Sequence, residues 1–201
     1  CDHECIGSWQ EDEAEEAAMY GQQPGDAKVR DVNGDYKLTQ EDKVFLGQET
    51  PKFRWSFRNE FTLFRNWDIS LNLYSQMGHK QSTTEYLNFF DNLGDYSNTY
   101  KREYWTPENK SNSYARLKST RPSNINPMKV IKKGFIRLEN ISVSYRVPQQ
   151  FARKLMAKEI SIYGTVRNVA VWAFDKEWDY WDPETKGLLP RTFTFGASIT
   201  F

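Results

Sequence analysis

Residues 31–42 have the composition and the spacing of a calcium-binding loop. Five positions that supply oxygen ligands in such loops, the first, third, fifth, seventh and twelfth, are held by Asp31, Asn33, Asp35, Lys37 and Asp42. Two features depart from the pattern, because Tyr36 replaces the usual turn glycine and Asp42 is shorter than the usual glutamate. The segment therefore predicts either a structural Ca²⁺ ion that orders a loop, or a turn built on Asn-Gly and Asx hydrogen bonds.

A second group of residues that could bind a ligand lies in residues 171–189. Four rings able to stack on sugar faces are Trp172, Trp178, Tyr180 and Trp181. Carboxylates that could accept hydrogen bonds from sugar hydroxyls are interspersed with them, at Asp175, Asp179 and Asp182. The alternative is that these rings pack against other parts of the protein, as aromatic clusters usually do.

Catalytic chemistry is not predicted. The acidic residues of the same loop, with Glu177 among them, lie on no rigid strand that could fix a glycosidase pair. His79 stands alone beside Gly78 and is expected to be solvated, and Cys1 and Cys5 are expected to be unpaired loop residues. The sequence contains no Ser-His-Asp set, phosphate-binding loop or spaced Cys/His cluster, so we do not expect an enzyme.

The elements that must position these residues are strands. Residues 53–77 predict a β-hairpin that reverses at Asn66, because apolar and polar residues alternate on both sides of it. Its apolar positions are Phe53, Trp55, Phe57, Phe61, Leu63, Trp67, Ile69, Leu71 and Leu73. Residues 134–170 predict two more strands joined by a short basic connection, and a change of phase predicts a bulge near Glu139–Asn140.

The last predicted strand, residues 190–201, has one apolar and one small polar face. The apolar face carries Phe193, Phe195, Ala197, Ile199 and Phe201. A strand between lipid and a wet lumen requires this alternation. A terminal aromatic on such a strand also predicts a signal for the barrel-assembly machinery, carried by Phe193, Phe195 and Phe201, and the simpler alternative is anchoring at the membrane interface.

Long and short connections alternate along the chain. Residues 1–52, with a short helix over 8–20 that begins at Ser8 with Glu11, and residues 78–133 read as long loops. The connections at 65–67 and 148–157 are short, and residues 171–189 are longer again. Membrane barrels have long extracellular loops and short periplasmic turns, so the long segments are expected to be extracellular.

Composition agrees with this reading. The 201 residues include 27 basic and 27 acidic ones, and this balance gives no support for nucleic-acid binding. No apolar run approaches the roughly 20 residues of a membrane helix. About five strands are fewer than the eight or so of the smallest closed membrane barrels, so we expect the C-terminal part of a larger barrel whose other strands precede Cys1. The alternative is a secreted, soluble β-sandwich that binds glycans, but it predicts loops of balanced length.

Several segments together resemble one family. They are Gly25–Asp35, Gly47–Phe53, Tyr104–Asn109 (Tyr-Trp-Thr-Pro-Glu-Asn), Phe135–Tyr145 and Arg191–Gly196 (Arg-Thr-Phe-Thr-Phe-Gly). In this order they resemble the C-terminal region of the SusC/RagA-family TonB-dependent transporters of Bacteroidetes outer membranes. The resemblance extends from about Gly25 to Phe201.

The resemblance implies an all-β fold, a large antiparallel transmembrane barrel of about 22 strands with a plugged lumen. It implies energised import of oligosaccharides or peptides across the outer membrane. It also implies a SusD-like surface lipoprotein as a lid and contact with TonB through an N-terminal region absent from this chain. No cofactor is implied with certainty, and calcium would be structural.

Overall fold

The computed structural model describes residues 2–83, 103–122, 125, 127–178 and 181–201. In chain order the strands are β1 (Asp2–His3), β2 (Cys5–Ser8), β3 (Ala27–Val29), β4 (Lys43–Val44), β5 (Phe53–Leu63), β6 (Trp67–Met77), β7 (Lys80–Thr83), β8 (Lys129–Lys132), β9 (Phe135–Arg146), β10 (Glu159–Ala173) and β11 (Thr192–Thr200). The helices are α1 (Ala14–Met19) and α2 (Gln149–Ala152), with 3-10 turns at Glu11–Glu13, Gln40–Asp42, Arg153–Leu155 and Lys176–Trp178. In the described part of the chain, no helix is long and apolar enough to cross a membrane.

The chain divides into two compact units, each described here by itself. Cys1–Gln48 and Lys80–Ile131 form the first, and Glu49–His79 and Lys132–Phe201 form the second. The second unit contains one antiparallel sheet in the order β5-β6-β9-β10-β11. The chain is therefore all-β, as the alternating sequence pattern predicts.

The β5–β6 hairpin is closed by a three-residue loop between the paired residues Leu63 and Trp67. Phe64 and Arg65 have positive φ angles of 49° and 64°, and the Asn66 N–H donates to the Leu63 carbonyl at 3.3 Å. The sequence assigns the reversal to Asn66, but the left-handed conformations fall on the two residues before it. Positive φ at both central residues matches the twist of an antiparallel hairpin.

Strand β9 contains the predicted bulge. Asn140 pairs with Asn72 and Leu138 pairs with Leu73, so Glu139 has no partner in this ladder. The ladder with β10 shifts at the same level. One extra residue changes the phase of a strand. Ile136 and Leu138 therefore face the same side of the sheet as Ile141, Val143 and Tyr145, whereas Phe135 faces the other side.

The connection from β9 to β10 is helical. Helix α2 is followed by a 3-10 turn that ends at Met156, whose φ is 56°. Beneath it, Ala152, Ala157 and Ile160 form a small buried cluster with Val147 packed against it. This apolar contact fixes the short turn between the two strands.

The first unit contains more regular structure than the predicted loops 1–52 and 78–133. Strand β1 pairs with β4, β2 with β3, and β7 with β8. The predicted capping pair Ser8 and Glu11 is wrong, because the Gln10 N–H donates to Glu13 Oε2 at 3.0 Å and begins the helix two residues later. Fully buried Trp9 and Asp26 lie at the centre of this unit.

Candidate functional site

The strand register gives the five-stranded sheet one face that is almost wholly apolar, here called the apolar face. Cross-strand neighbours on one face interact directly. Three successive rows across the sheet are Leu63, Trp67, Tyr145, Ile162 and Ala197; then Phe61, Ile69, Val143, Gly164 and Phe195; then Asn59, Leu71, Ile141, Val166 and Phe193. Much of this face is exposed, and Phe57 and Phe195 are 55% and 80% accessible.

Large aromatic residues lie at both ends of the apolar face. At one end the rings of Trp67 and Tyr145 contact each other, with centroids 4.7 Å apart. At the other end, Trp55 and Trp172 lie in one row with Ser75 and Ile136 between them. The residues from one end row to the other span about 27 Å at the usual rise of a strand. Membrane barrels likewise carry aromatic girdles at both borders of their apolar band.

The opposite face of the same sheet, here called the polar face, carries hydroxyls, amides and charges. Thr62 Oγ1 donates to Asp68 Oδ1 at 2.8 Å, and Arg146 pairs with Asp68 Oδ2 at 2.9 Å. Asn72 Nδ2 donates to Glu139 Oε2 at 2.5 Å. Two open depressions of about 290 and 240 Å³ lie along this face and share Ser70 and Ser142. The face can exchange hydrogen bonds with water or with a polar solute.

At one end of the polar face, the connection from β10 to β11 folds over the sheet. Arg137 donates to Asp182 Oδ2 at 2.5 Å, and both side chains are buried. Tyr74 OH donates to Glu184 Oε2 at 2.5 Å, and Gln76 Nε2 donates to Glu184 Oε1 at 2.9 Å. All three strand residues belong to the polar face, so this connection lies against that face.

The Asp182 carboxylate also organises the connection itself. Its Oδ1 accepts the backbone N–H groups of Glu184 and Thr185 at 2.9 and 3.0 Å. Burial alone would raise the pKa of Asp182, but the Thr185 N–H and the Arg137 guanidinium outweigh it and hold the pKa below its ordinary value. Asp182 is therefore a charged residue that stabilises this connection.

The predicted sugar-stacking residues are not all brought together. Strand β10 extends to Ala173, so Trp172 lies within a strand, on the apolar face, instead of in the loop. Trp178 donates from its ring nitrogen to the Lys132 carbonyl at 2.7 Å, and the Trp181 N–H donates to the Trp178 carbonyl at 3.3 Å. Tyr180 and Asp179 lie outside the described residues. A stacking role for Trp178, Tyr180 and Trp181 stays a prediction.

In the predicted calcium loop, the carboxylates accept backbone N–H groups. Asp31 accepts from Gly34 at 2.7 Å and from Tyr36 at 2.9 Å, and Asp35 accepts from Lys37 at 2.8 Å. Asn33 Oδ1 accepts from the Asp35 N–H in the same manner. These bonds are the Asx turns that the alternative interpretation predicts.

The twelfth position of that loop, Asp42, is fully buried and accepts from the backbone of Thr39 and Val32 at 2.7 and 2.9 Å. The Thr39 N–H is the main cause of its lowered pKa. Among the described residues, no three acidic, histidine or cysteine side chains are grouped so that they could hold a metal ion. Calcium binding by this loop stays a prediction.

Two smaller expectations need correction. His79 is not solvated, since only 3% of it is accessible and its Nδ1 has no hydrogen-bond partner. Burial, together with the positive charges of Lys133 and Arg54, lowers its pKa. Cys5 is unpaired as expected, but it lies in strand β2 instead of a loop, and Cys1 lies outside the described residues.

The residues predicted to signal barrel assembly lie at the edge of the sheet. Phe193 and Phe195 are on the apolar face of β11, and both are exposed. Phe201 follows the strand, and its carbonyl accepts a hydrogen bond from Lys158 Nζ at 2.8 Å. Their role in assembly stays a prediction.

Sequence reasoning missed Tyr74, Gln76, Arg137 and Glu184. The two partners Arg137 and Asp182 are separated by 45 residues, so no local spacing links them. One signal was available in the sequence. At the start of β9, Phe135 and Arg137 alternate with Ile136 and Leu138, and the bulge places Phe135 and Arg137 on the polar face.

Known proteins resemble this chain in sequence and in fold. No family model matches the chain. It is 26% identical to TonB-dependent receptor P26 of Formosa agariphila over 98% of the chain, and 23% identical to TonB-dependent receptor P3 of the same species over 89%. The chain spans only 22% and 19% of the lengths of these relatives.

Solved structures of RagAB have the same fold over the whole chain. The RagAB peptide transporter superposes with a TM-score of 0.64 at 14% identity, and this chain covers 22% of its length. The RagAB peptide importer in its "closed-closed" state gives 0.60 at 15% identity, again with 22% of that chain covered. The predicted all-β, antiparallel fold is thus confirmed. By sequence, the chain is similar to TonB-dependent receptors.

Proposed function

We propose that this chain is part of the wall of a SusC/RagA-type, TonB-dependent importer in a Gram-negative outer membrane, where it helps to import oligosaccharides or peptides. The observation that carries this proposal is the five-stranded sheet with one exposed apolar face and one polar face. Such a sheet suits a position between lipid and a water-filled lumen.

The length of the strands supports the same position. Strands β5, β6, β9, β10 and β11 contain 11, 11, 12, 15 and 9 residues. A tilted strand needs about 9–11 residues to cross a bilayer. In this proposal β5 and β11, which are the outer strands of this sheet, pair with further strands of the same barrel, because lipid does not tolerate open strand edges.

The partners in this proposal follow from the comparisons. The names of the curated relatives link them to TonB, and the neighbouring structures are titled as the RagAB peptide transporter and importer. We therefore propose TonB and a SusD-like surface lipoprotein as partners, and import without enzymatic chemistry. The soluble glycan-binding sandwich is less favoured, because a sandwich covers its apolar face with a second sheet, whereas Phe57 and Phe195 are exposed.

Two neighbouring substitutions in the full-length protein that contains this chain test the assignment of the faces. Leu71→Arg places a charge in the middle of the apolar face, where it costs about 2–4 kcal/mol in a bilayer. Ser70→Arg places the same charge on the polar face of the same strand. We expect Leu71→Arg to reduce the amount of folded protein in outer-membrane fractions and Ser70→Arg to leave it near wild type. Equal amounts of both variants, or loss of Ser70→Arg alone, would overturn the proposal.

A further inference from the structure

The polar face is open along most of its length but buried at one end. There Phe135 is inaccessible and Arg137 is 2% accessible, although both belong to the face that otherwise carries exposed polar groups. The cover is the segment Trp181–Gly187, here called the inward loop. Its Asp182 and Pro183 are buried, whereas Glu184, Thr185 and Lys186 are exposed to solvent.

The inward loop is attached to two successive rows of the sheet. One row contains Tyr74 and Arg137, which bind Glu184 and Asp182. The next row contains Gln76, which binds Glu184, and Phe135, over whose ring the Arg137 guanidinium lies at 5.2 Å from the centroid. The Asp182 N–H donates to the Gly187 carbonyl at 2.9 Å and so closes the loop on itself.

A buried ion pair is a strong tie when both of its partners are present, because removing one leaves an uncompensated charge. The Arg137–Asp182 pair is supported by two N–H groups on Asp182 and by a second carboxylate, Glu184, at 3.5 Å from Arg137. The inward loop is therefore held by charge, by hydrogen bonds and by its buried Pro183.

We propose that the inward loop is a fixed constriction of the import passage, held against the polar face by the Arg137–Asp182 pair. This inference depends on the proposed function, because the polar face must line the passage. A layer packed on a sheet occupies about 10 Å, so the loop narrows the passage at this end and limits the width of the solute. Lys186 is exposed on the loop and can contact a polar solute, whereas the side chains of Glu184 and Thr185 are bonded to the sheet and to Asp182.

The test uses single cysteines in the full-length protein, with its native cysteines, Cys1 and Cys5 among them, replaced by serine. The protein is purified in detergent and labelled with a small and a bulky maleimide. Gln76→Cys lies under the inward loop, and Ser70→Cys lies on the same face and strand but away from it. Leu71→Cys on the apolar face is covered by detergent. The loop is released by Arg137→Ala combined with Asp182→Ala, which removes the tie, leaves no buried charge unpaired and supplies no bulky apolar contact in its place.

We expect Gln76→Cys to react more slowly than Ser70→Cys and to exclude the bulky reagent more strongly, because the inward loop lies over part of this half-buried position. Release of the loop should remove both differences. Equal reactivity of Gln76→Cys and Ser70→Cys in the parent protein, or no change on release, would overturn the constriction.

Failure of the proposed function has a different signature, since the full-length protein would then be found in the soluble fraction instead of the outer membrane, whatever the relative reactivity of Gln76→Cys and Ser70→Cys. If the double variant does not assemble, Glu184→Ala replaces it, because in the Gln76→Cys protein this substitution removes the remaining bond from Tyr74 to Glu184 at an exposed site. A rise of about threefold in the labelling of Gln76→Cys is then expected from partial loosening, and no rise contradicts the proposal.

Discussion

Tyr163 of β10 lies across Gly196 of β11, and its ring and hydroxyl occupy the space that a Cβ atom at position 196 would take. The next pair along the ladder has the reverse arrangement on the apolar face, where the Phe195 ring covers Gly164 at 3.3 Å from its Cβ position. An aromatic side chain over a cross-strand glycine compensates for the missing side chain and helps to fix the register.

We predict that Gly196→Ala displaces the Tyr163 ring and destabilises the sheet, with a coupling of about 0.5–1 kcal/mol between the two positions. The measurement is a double-mutant cycle with Tyr163→Ala, based on the free energy of unfolding of the full-length protein in urea. Thr194→Ala, on the same face of β11, is the control and should show no coupling to Tyr163→Ala. Additive effects of Gly196→Ala and Tyr163→Ala would show that the ring does not depend on the glycine.

Acid should loosen the inward loop. The pKa of Asp182 is lowered in the folded protein, so its contribution is fully present above the ordinary aspartate value near 3.8 and is lost as the pH falls through the lower folded value. We expect the amides of Thr185 and Lys186 to lose hydrogen-exchange protection below about pH 4, after correction for the intrinsic rate. Asp182→Asn should remove this dependence, and an unchanged acid response in that variant would assign it to another group.

Asp26 should be among the most sensitive positions of the first unit. It is fully buried and accepts from Arg116 Nε at 2.7 Å, from the Thr120 N–H at 2.9 Å and from the Gln23 N–H at 3.0 Å. Asp26→Ala leaves these donors without an acceptor, and we expect it to cost about 2–3 kcal/mol. Hydrogen exchange of the backbone amides in the first unit measures this loss of stability.

Asp35→Ala is the matched control for Asp26→Ala, because Asp35 is exposed and accepts a local bond from the Lys37 N–H. It should change the stability by no more than about 0.5 kcal/mol. Equal effects of the two substitutions would show that the Asp26 cluster is not a centre of stability.

Calcium binding by residues 31–42 can be tested in a separate experiment. Because the carboxylates of residues 31–42 accept backbone N–H groups, we expect EGTA to leave the exchange protection of this loop unchanged. Protection that rises with added Ca²⁺ and is abolished by Asp35→Ala would instead support Asp31, Asn33, Asp35, Lys37 and Asp42 as ligands.

The alternation of apolar and polar residues was enough to predict the sheet, since Leu71 and Ser70 differ in type because they face different surroundings. The same alternation predicted the bulge near Glu139, because its phase changes there. The sequence did not predict that the inward loop covers one end of the polar face, because the Arg137–Asp182 contact joins residues far apart in sequence. Trp172 was misplaced because a strand end cannot be located when the loop that follows is equally aromatic.

The unpaired position of β9 has one more consequence. Glu139 supplies the odd residue that keeps Ile136 and Leu138 on the same side as Ile141, while Arg137 turns to the other side. If β9 kept all its residues but ran as a regular ladder, Arg137 would lie among the apolar side chains and Asp182 would have no counter-ion within the sheet. The bulge therefore sets the phase of the strand, because the one unpaired residue decides on which face of the sheet the Arg137 guanidinium lies.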